Sequence, residues 1–471
     1  MNAPEGSSNA DFLATEEILY EARRKIYARS VDGFFATMRW GMVWFTQIIF
    51  YGLPWLRWDG RQAFLLDLTT RKFYFFGLIL WPQDVIFLAL LLIISAYGLF
   101  LFTAIAGRLF CGYACPQTVY SEIFMWIESK VEGDRLARIR LDNQPMNARK
   151  FARKAIKHGI WIAVALWTGF TFVGFFTPIH QLATSVVTFT LSGWETFWLL
   201  FYGFATYGNA GFMREQVCKY MCPYARFQSV MFDRDTLIVS YDSGRGEPRG
   251  KHKRGVDPRT QGKGDCIDCS ICVQVCPTGI DIRDGLQYMC IGCGACADAC
   301  DQVMDKLQTP RGLIRYSSEN AIEYGWTKAQ QWRHLLRPRI VIYSLILLVM
   351  VGIFVGGLAM RKPLKVNIMR DRRVLAREVG EGYLENVYQV QLMNASNQAR
   401  TVTFSAQGMP GLRIENPVGA VPLPASTNLL RALEVEVPDS THSGIYKIRI
   451  DTRTDGAHPI VVSTTTTFIV P

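Results

Sequence analysis

The sequence predicts a multidomain membrane protein that combines a five-helix transmembrane α bundle, a cysteine-rich insert and a C-terminal all-β domain. Three observations lead to this fold class. Long apolar segments occur within residues 33–240 and again at 340–360, eight cysteines lie between residues 266 and 300, and apolar and polar residues alternate after residue 366. Alternation with a period of two is the pattern of half-buried β-strands. At 471 residues, the chain is long enough for several domains.

The composition indicates a membrane protein with soluble parts. Hydrophobic residues make up 49% of the chain, charged residues make up only 19%, and the mean hydropathy is +0.11. A net charge of +11 could indicate nucleic-acid binding. However, the basic residues lie in loops beside apolar segments, which is the positive-inside pattern of membrane proteins. We therefore expect a lipid bilayer as a partner and no nucleic acid.

Five segments are apolar and long enough to be predicted as membrane-spanning helices. They cover residues 33–55, 85–106, 160–179, 194–212 and 340–360, so the first four lie in a membrane region at 33–240. Residues 1–32 form a polar cytoplasmic segment that does not resemble a cleavable signal peptide. Arg39, near the start of the first span, is expected to snorkel to the membrane interface. Residues 73–81 are strongly apolar but too short to span, which favours an interfacial or re-entrant segment.

The basic residues of the short loops predict the orientation of the helices. The segment after the second span is rich in lysine and arginine: Arg108, Lys130, Arg135, Arg138, Arg140, Arg149, Lys150, Arg153, Lys154 and Lys157. The turn at 178–191 has none, whereas the loop at 57–84 has four and argues weakly against this orientation. With the N-terminus inside, five spans place the cysteine-rich insert in the cytoplasm and residues 361–471 in the periplasm of a bacterial inner membrane.

Residues 265–310 contain two copies of the spacing C-x2-C-x2-C-x3-C. The cysteines are Cys266, Cys269, Cys272 and Cys276 in the first run, and Cys290, Cys293, Cys296 and Cys300 in the second. This spacing is typical of bacterial ferredoxins that bind two 4Fe-4S clusters, in which the last cysteine of each run ligates the other cluster. We therefore assign Cys266, Cys269, Cys272 and Cys300 to one cluster and Cys290, Cys293, Cys296 and Cys276 to the second. Zinc sites use separated cysteine pairs, and a reducing compartment disfavours disulfides.

The segments on either side of this two-cluster ferredoxin domain are connectors. Residues 241–264 are rich in Gly, Pro, Lys and Arg, including Lys251, His252, Lys253 and Arg254. They favour a solvated basic linker beside anionic lipid. Residues 311–339 lead back to the last predicted span.

The C-terminal residues 361–471 predict an immunoglobulin-like domain. Strands are expected at 387–393, 400–405, 429–437, 444–452 and 460–470, with turns such as Gly408–Gly411 between them. Short strands at this density fit an immunoglobulin-like sandwich, although its cysteine pair is absent from this stretch. No catalytic constellation is evident in this sequence, so a docking or structural role is expected.

The remaining four cysteines form an internal repeat of the pattern Cys-x-Tyr-x-Cys-Pro. Cys111 and Cys115 belong to the first copy, and Cys218 and Cys222 follow 107 residues later in the second. The proline after each motif favours a turn at the membrane boundary that is followed by a helix beginning at Pro116 or Pro223. If the two halves pack together, four soft thiolates converge, which suits copper, a further iron–sulfur centre or redox-active thiols. The alternative is four buried structural cysteines.

This order of parts resembles the cytochrome c oxidase accessory proteins called CcoG, FixG or RdxA. The resemblance covers nearly the whole chain. It implies a metal-ion (cupric) oxidoreductase that reduces Cu(II) to Cu(I) for assembly of the cbb-type oxidase. The implied partners are cbb-type oxidase subunits or copper chaperones and an unidentified electron donor, and a homodimer is compatible with it. Membrane ferredoxins of nitrate and nitrous-oxide reduction share the motif pairs, so an electron relay between quinol or a cytoplasmic donor and a partner enzyme, without copper chemistry, is the second hypothesis.

The residues suggest how such a reaction would proceed. A cytoplasmic reductant would load the clusters at Cys266–Cys300, and an electron would pass to Cu(II) near the catalytic candidates Cys111, Cys115, Cys218 and Cys222. Thiolates prefer the reduced copper ion, so binding favours reduction. The basic residues Arg108, Arg214 and Lys219 are expected to help to deprotonate these thiols.

Overall fold

The computed structural model describes residues 25–251, 257–371, 376–380, 382–455 and 459–471. Residues 1–24 of the predicted N-terminal segment, and His252, Lys253 and Arg254 of the predicted linker, lie outside the described residues.

Helices dominate the first 360 residues, because these contain the long apolar segments and the prolines that start helices. The α-helices are Phe34–Gly52, Val85–Ala106, Leu109–Tyr113, Pro116–Glu132, Arg135–Asn143, Ala148–Val173, Ile179–Val187, Gly193–Thr206, Pro223–Ser229, Ser243–Gly246, Ile271–Gln274, Ala295–Leu307, Glu319–Glu323, Lys328–Leu335 and Pro338–Ala359. Two π-helical segments are Tyr207–Met213 and Val217–Met221, and short 3-10 turns are Leu53–Trp55, Pro82–Asp84, Pro258–Gln261 and Ile282–Asp284.

The strands form small sheets before residue 320 and a sandwich after residue 363. The first group is Arg57–Trp58, Arg61–Gln62, Phe64–Asp67, Lys72–Phe75, Leu78–Leu80, Ile238–Tyr241 and Ile314–Ser317. The second group is Leu364–Arg370, Arg377–Val379, Tyr383–Asn394, Arg400–Gln407, Arg413–Asn416, Val421–Leu423, Asn428–Pro438, Gly444–Thr454 and Val461–Val470. The strands expected in the C-terminal part of the chain are therefore present, together with four shorter ones that the sequence analysis did not identify.

The chain divides into two compact units, and several helices contribute residues to both. The first unit contains Met1–Thr46, Leu99–Ala165 and Phe204–Val341, so it holds all twelve cysteines. The second contains Gln47–Gly98, Leu166–Gly203 and Ile342–Pro471.

In the first unit, an antiparallel strand pair encloses the cysteine-rich insert. Ile238–Tyr241 pairs with Ile314–Ser317, and side chains of both strands share a core with Cys266, Cys272 and the Ala295–Leu307 helix. The segment predicted as a solvated linker folds onto this domain instead. Gly250 N donates to Cys266 O at 2.9 Å, and Gly264 N donates to Pro248 O at 2.9 Å. The first of these bonds reaches the insert and the second lies within the segment, so the described part of residues 241–264 packs against the cysteine-rich insert.

In the second unit, the C-terminal residues form two antiparallel sheets with a shared core. The central strand of one sheet, Tyr383–Asn394, buries Tyr388, Val390 and Leu392 on alternate positions. Phe468 from the other sheet is fully buried in the same core. This alternation is the expected consequence of packing one face of each sheet against the other. The predicted immunoglobulin-like architecture is confirmed.

Residues 64–80, which include most of the segment expected to be interfacial or re-entrant, form a three-stranded sheet in the second unit. Lys72–Phe75 pairs with strands on both sides. The same unit contains contacts between this part of the chain and the C-terminal domain: Lys72 Nζ donates to Ser426 O at 2.7 Å, and Asn397 Nδ2 donates to Asp59 at 2.8 Å. Residues 73–75 and 78–80 of this apolar segment therefore lie in β-strands.

Among the described residues, three helices are long and apolar enough to cross a membrane. They include residues Pro82–Ala106, Ala148–Val173 and Pro338–Ala359, and they indicate a membrane-associated protein. The second of these helices begins twelve residues before the predicted span at 160–179, because the basic residues 149–157 continue the helix towards the N-terminus. It ends at Val173, before the end of the predicted span. The other two predicted spans correspond to the helices Phe34–Gly52 and Gly193–Thr206.

Candidate metal centres

Four cysteines from both ferredoxin-type runs line one small cavity. Cys266 and Cys269 lie in the loop before the one-turn helix Ile271–Gln274, which carries Cys272, and Cys300 comes from the helix Ala295–Leu307. Asp268 and Ser270 both have φ +55°, a left-handed conformation that lets this short loop wrap around the cavity. The cavity thus has three cysteines from one run and the fourth from the other.

A second small cavity is lined by the other four cysteines. Cys290, Cys293 and Cys296 come from the second run, and Cys276 comes from the end of the first. Cys272 borders this cavity as well as the first one, so the two cavities are adjacent. The structure therefore brings the cysteines together in the two groups that the crossed assignment requires.

The chemistry of these cysteines fits iron–sulfur clusters. In the described part of the chain, no three His, Cys, Asp or Glu side chains are close enough to hold a single metal ion, whereas a cubane holds its four sulfur ligands farther apart. Burial raises the pKa of Cys272 to about 11 and that of Cys290 and Cys300 to about 12. Such thiols keep their protons at neutral pH unless a metal displaces them.

The two Cys-x-Tyr-x-Cys-Pro motifs have nearly the same local structure. Pro116 and Pro223 each begin a helix, and Cys115 and Cys222 are the residues immediately before it. These helix starts agree with the sequence analysis. The first cysteine of each motif does not lie in a simple turn, as had been expected, but on a single helical turn, Leu109–Tyr113 or Val217–Met221.

The four motif thiols lie close enough to affect one another's ionisation. Burial, together with the neighbouring Cys115, Cys218 and Cys222, raises the pKa of Cys111 to about 12, while Arg108 opposes this rise. Burial and its neighbours Cys115 and Cys222 raise the pKa of Cys218 to about 11. The sequence repeat therefore corresponds to one group of four thiols, as expected if the two motifs pack together.

The first motif packs directly against the second ferredoxin-type run. A Cβ on Gly112 would lie 2.9 Å from the carbonyl oxygen of Gly292, so only glycine allows the two backbones to approach this closely. Tyr113 Oη donates to Cys293 O at 3.3 Å, and Cys111 packs in the same apolar cluster as Cys293. The four-thiol group and the second cavity are therefore neighbours.

Two buried arginines hold the backbone of the second run. Arg108 donates to the carbonyl oxygens of Tyr288 and Cys290, and also to Ala225 O at 2.6 Å. Arg39 donates to Cys293 O at 3.1 Å and is only 7% exposed. The sequence analysis expected Arg39 to snorkel to the membrane interface, and this prediction is wrong, because the side chain is enclosed by the second run and does not reach the solvent boundary.

Of the basic residues expected near the motif thiols, Arg108 is among the largest influences that lower the pKa of Cys111 and Cys218. Arg214 makes a 2.8 Å ion pair with Glu128 instead. Glu128 also pairs with Arg138 at 3.3 Å and with Lys157 at 3.6 Å, while being 1% exposed. Arg214 therefore fixes the second motif through this buried carboxylate.

The buried acid–base network around Glu128 was not foreseen from the sequence. Lys154 pairs with Glu132 at 2.9 Å and with Asp142 at 2.6 Å, and Tyr27 Oη donates to Asp142 at 2.7 Å. Several basic residues that the sequence analysis used to orient the helices are thus paired with acidic residues. A Glu at position 128, four residues before Glu132 on one helix and close in sequence to basic residues, was the available signal.

Comparison with known protein families identifies three matching regions. Residues 213–319 match a 4Fe-4S dicluster domain, residues 88–132 match a 4Fe-4S binding domain, and residues 354–471 match a domain described as the IG-like fold at the C-terminus of FixG, a putative oxidoreductase. Each of the first two regions includes one Cys-x-Tyr-x-Cys-Pro motif.

Three curated relatives are similar to this chain over most of their length. Protein RdxB of Cereibacter sphaeroides is 40% identical over 428 residues, which cover 88% of this chain and 90% of that protein. Protein RdxA of the same organism is 40% identical over 439 residues, covering 90% and 92%. Nitrogen fixation protein FixG of Rhizobium meliloti is 39% identical over 425 residues, covering 83% and 81%.

Among solved structures, a FixG-related protein from Vibrio parahaemolyticus matches 23% of this chain and 97% of its own chain, with 18% identity and a TM-score of 0.20.

Proposed function

This chain belongs to the FixG/RdxA family and is an iron–sulfur electron-transfer protein, and from that premise we propose that it reduces Cu(II) to Cu(I) for assembly of a cbb-type oxidase. The observation that carries the proposal is the packing of the first Cys-x-Tyr-x-Cys-Pro motif against the second cysteine run. A metal ion on the motif thiols would then lie next to a redox centre, with no intervening domain.

The two cysteine groups of the ferredoxin-type insert are assigned as the ligands of two 4Fe-4S clusters. Cys266, Cys269, Cys272 and Cys300 would hold one, and Cys276, Cys290, Cys293 and Cys296 the other. When bound, such clusters accept and release single electrons at potentials that depend on nearby charge and hydrogen bonds. The chain contributes the buried arginines Arg39 and Arg108 beside the second group.

Copper is the substrate in this proposal, and the motif thiols bind it. Cys111, Cys115, Cys218 and Cys222 supply soft sulfur ligands, which stabilise Cu(I) more than Cu(II). Each Cu(II) takes up one electron, which a reductant outside the chain must replace. Because burial raises the pKa of Cys111 and Cys218, these thiols release protons only when metal binds, and the positive charge of Arg108 makes that release easier.

We place the ferredoxin-type insert in the cytoplasm and the C-terminal domain in the periplasm, with five spans between them. In that arrangement the loop at 57–84, the turn at 178–191 and the C-terminal domain share one side, and the two motifs and the insert share the other. Each of these sets falls within one structural unit, which supports the proposal. The helices Phe34–Gly52 and Gly193–Thr206 correspond to the other two proposed spans. Their large exposed apolar side chains, such as Trp44 and Phe204, suit contact with lipid.

A second function is favoured by one observation. Residues 88–132, which contain Cys111 and Cys115, match a 4Fe-4S binding domain. The four motif cysteines could then ligate a further iron–sulfur centre, and the chain would relay electrons between quinol or a cytoplasmic donor and a partner enzyme without copper chemistry.

The two functions are separated by a copper-reduction assay on the detergent-solubilised, anaerobically purified protein. The protein is first reduced chemically and freed of excess reductant, and it then receives Cu(II) and a chelator that absorbs only when it binds Cu(I). Replacing both Cys218 and Cys222 by alanine should abolish Cu(I) formation while the ferredoxin-type absorbance remains. Val230→Ala, at an exposed position close to the second motif, is the matched control and should behave as the parent protein. Unchanged copper reduction in the double variant would end the copper proposal.

A further inference from the structure

The first cysteine group, which lines the first small cavity, reaches the surface of the protein. Its members are Cys266, Cys269, Cys272 and Cys300. All twelve cysteines lie in the described part of the chain, and Cys269 is the one that is exposed. Because the rate of electron transfer falls steeply with distance, an electron carrier outside the chain would exchange electrons with this group.

The second cysteine group is enclosed by other parts of the first unit. Gly112 of the first motif packs against the backbone at Gly292, Arg108 donates to Cys290 O at 3.2 Å, and Cys293 is buried. Cys272 borders both small cavities, so the first group gives access to the second. An electron would therefore enter at the first group and pass through the second to the motif thiols.

The charges around the two groups favour this direction. Arg283 lines the first cavity, but it pairs with Asp281 at 2.6 Å and with Asp268 at 2.5 Å. Arg108, beside the second group, lacks such compensation, because among the described residues its guanidinium donates only to backbone carbonyl oxygens. This positive charge stabilises an added electron at the second group more than at the first.

Three basic residues lie beside the first group, and we call them the basic ridge: Lys251, Arg259 and Lys263. Gly250, which precedes the ridge residue Lys251, donates its N–H to Cys266 O at 2.9 Å. Lys263 Nζ donates to Lys251 O at 2.7 Å. Lys263 N donates to Pro258 O at 3.1 Å, next to Arg259. These contacts hold the three basic residues together on the first cysteine run.

The basic ridge keeps its positive charge, because the acidic residues close to it in sequence are engaged elsewhere. Glu247 and Asp265 pair with arginines outside the ridge, at 2.8 Å and 2.5 Å. Asp257 accepts the backbone N–H of Arg259 at 3.0 Å. Among the described residues, no carboxylate forms an ion pair with the ridge. A surface of this charge attracts partners with an acidic surface.

We propose that the face of the insert that carries Cys269 and the basic ridge is the docking site of a small acidic electron-transfer protein. In each transfer the carrier is oxidised by one electron, the centre held by the first cysteine group is reduced by one electron, and no covalent bond changes. Opposite charges steer such partners together, and their complexes have small interfaces. The proposal rests on the clusters assigned above and is independent of the copper chemistry.

Docking is tested with an acidic 2Fe-2S ferredoxin as the probe, in its oxidised form, so that no electron is transferred. The full-length, cluster-containing protein in detergent is titrated with this probe by calorimetry. We expect saturation at one probe per chain and an affinity that falls as salt is added, because salt screens exposed charges. Absence of saturable binding at low salt would overturn the proposal.

Charge reversal on the basic ridge gives a sharper test. Lys251→Glu combined with Arg259→Glu should weaken binding about tenfold or more, because attraction at two positions becomes repulsion. Both side chains are exposed, and the hydrogen bonds of this segment use their backbone atoms, so the fold should be retained. Arg431→Glu combined with Lys447→Glu makes the same change of charge at exposed positions of the C-terminal domain and should leave the affinity unchanged. Equal affinity in the two double variants contradicts the proposal.

Electron delivery is followed as the loss of cluster absorbance after rapid mixing with reduced ferredoxin that has been freed of excess reductant, without copper. The initial rate below saturation should fall about tenfold when Lys251 and Arg259 are both replaced by glutamate. Dithionite then gives the total absorbance change, which should equal that of the parent protein. If dithionite causes no change, the iron–sulfur assignment fails and the proposal fails with it. A full dithionite change with equal ferredoxin rates in the two double variants overturns the docking site alone.

Anionic lipid is the other class of partner that suits a basic ridge. Ferredoxin binding is therefore measured again with the protein in phosphatidylcholine nanodiscs and in phosphatidylglycerol nanodiscs. We expect saturable binding in both, because the ridge faces the carrier and not the headgroups. Binding that is present in phosphatidylcholine and absent in phosphatidylglycerol would assign the ridge to lipid and overturn the proposal.

Discussion

Gly112, between the cysteines of the first Cys-x-Tyr-x-Cys-Pro motif, packs against the carbonyl oxygen of Gly292, between the cysteines of the second ferredoxin-type run. A Cβ at position 112 would lie 2.9 Å from that oxygen and 2.9 Å from the oxygen of Ile291. Neither backbone oxygen can move easily, because both belong to the loop that Arg39 and Arg108 hold. This contact places a thiol group that can bind metal next to the second cysteine cavity.

Gly112→Ala should separate these two loops. The extra methyl group overpacks a close backbone contact, which typically costs about 1–3 kcal/mol, and we expect slower copper reduction with both iron–sulfur centres still present. The measurement is the rate of Cu(I) formation per iron-loaded chain. Gly41→Ala, at an exposed helix position with no atom within 4 Å of the added Cβ, should retain the parent rate. Parent-like reduction by Gly112→Ala would show that the contact does not matter for electron transfer.

Crossed ligation predicts which pairs of cysteine substitutions act on the same cluster. Cys276→Ser combined with Cys290→Ser should remove one cluster, whereas Cys276→Ser combined with Cys266→Ser should remove both. Iron per chain should therefore fall by about four atoms in the first double variant and by about eight in the second, because each cubane contains four.

Loss of both clusters in the Cys276→Ser, Cys290→Ser variant and of one cluster in the Cys276→Ser, Cys266→Ser variant would show that each run ligates its own cluster. The single variants Cys276→Ser and Cys300→Ser serve as controls, and each should lose one cluster at most.

Glu128→Gln should destabilise the first unit strongly. The carboxylate is buried and pairs with Arg138, Lys157 and Arg214, and removal of one partner from a buried ion pair costs about 3–5 kcal/mol. Thermal unfolding in detergent measures the effect. Glu319→Gln is the control, because Glu319 is half exposed and its 3.6 Å pair with Arg234 lies at the surface, where ion pairs contribute about 0–1 kcal/mol. Equal loss of stability in the two variants would contradict a structural role for the network.

The loss of stability caused by Glu128→Gln should depend on pH. Burial alone would raise the pKa of Glu128, but the charges of Arg214 and Lys157 and the Arg214 hydrogen bond lower it below its usual value. The stabilisation is therefore present above the unfolded pKa of about 4.3 and is lost as the pH falls through the lower folded value. The stability difference between parent and Glu128→Gln should shrink below about pH 4.3. A difference that grows on acidification would contradict the assigned charge state.

Arg108→Gln should lower the reduction potential of the second centre. The guanidinium donates to Cys290 O at 3.2 Å, and loss of a buried positive charge makes addition of an electron less favourable. We expect a shift of tens of millivolts, where about 59 mV is a tenfold change for one electron. Potentiometric titration followed by electron paramagnetic resonance measures it. Arg234→Gln, whose side chain is 60% exposed, should cause no shift, and equal potentials in the Arg108 variant and the parent protein would contradict the assignment.

Sequence reasoning predicted the features that depend on spacing. The two cysteine runs predicted two groups of ligands, and Pro116 and Pro223 predicted two helix starts, because proline at a first helical position loses no hydrogen bond. The alternation after residue 366 predicted the C-terminal sandwich. These patterns are local, so the chemistry of a few neighbouring residues determines them.

Features that depend on distant contacts were missed. The approach of Gly112 to Gly292 joins residues 180 positions apart, and no local pattern signals it. Arg39 was assigned to the membrane interface because snorkelling is usual near helix ends, but its acceptor, Cys293 O, lies far along the chain. Likewise, Lys157 was used only as one of the basic residues that orient the helices, since its acidic partner Glu132 becomes a neighbour only when two helices pack.

The most direct test of this account is the iron and acid-labile sulfide content of anaerobically prepared protein, measured for the parent chain and for a variant in which Cys111, Cys115, Cys218 and Cys222 are all replaced by alanine. Two cubane clusters on the insert predict about eight iron and eight sulfide atoms per chain in both proteins. A fall from about twelve to about eight in the variant would assign the motif cysteines to a third cluster in place of copper. Protein without acid-labile sulfide would contradict the account at its centre.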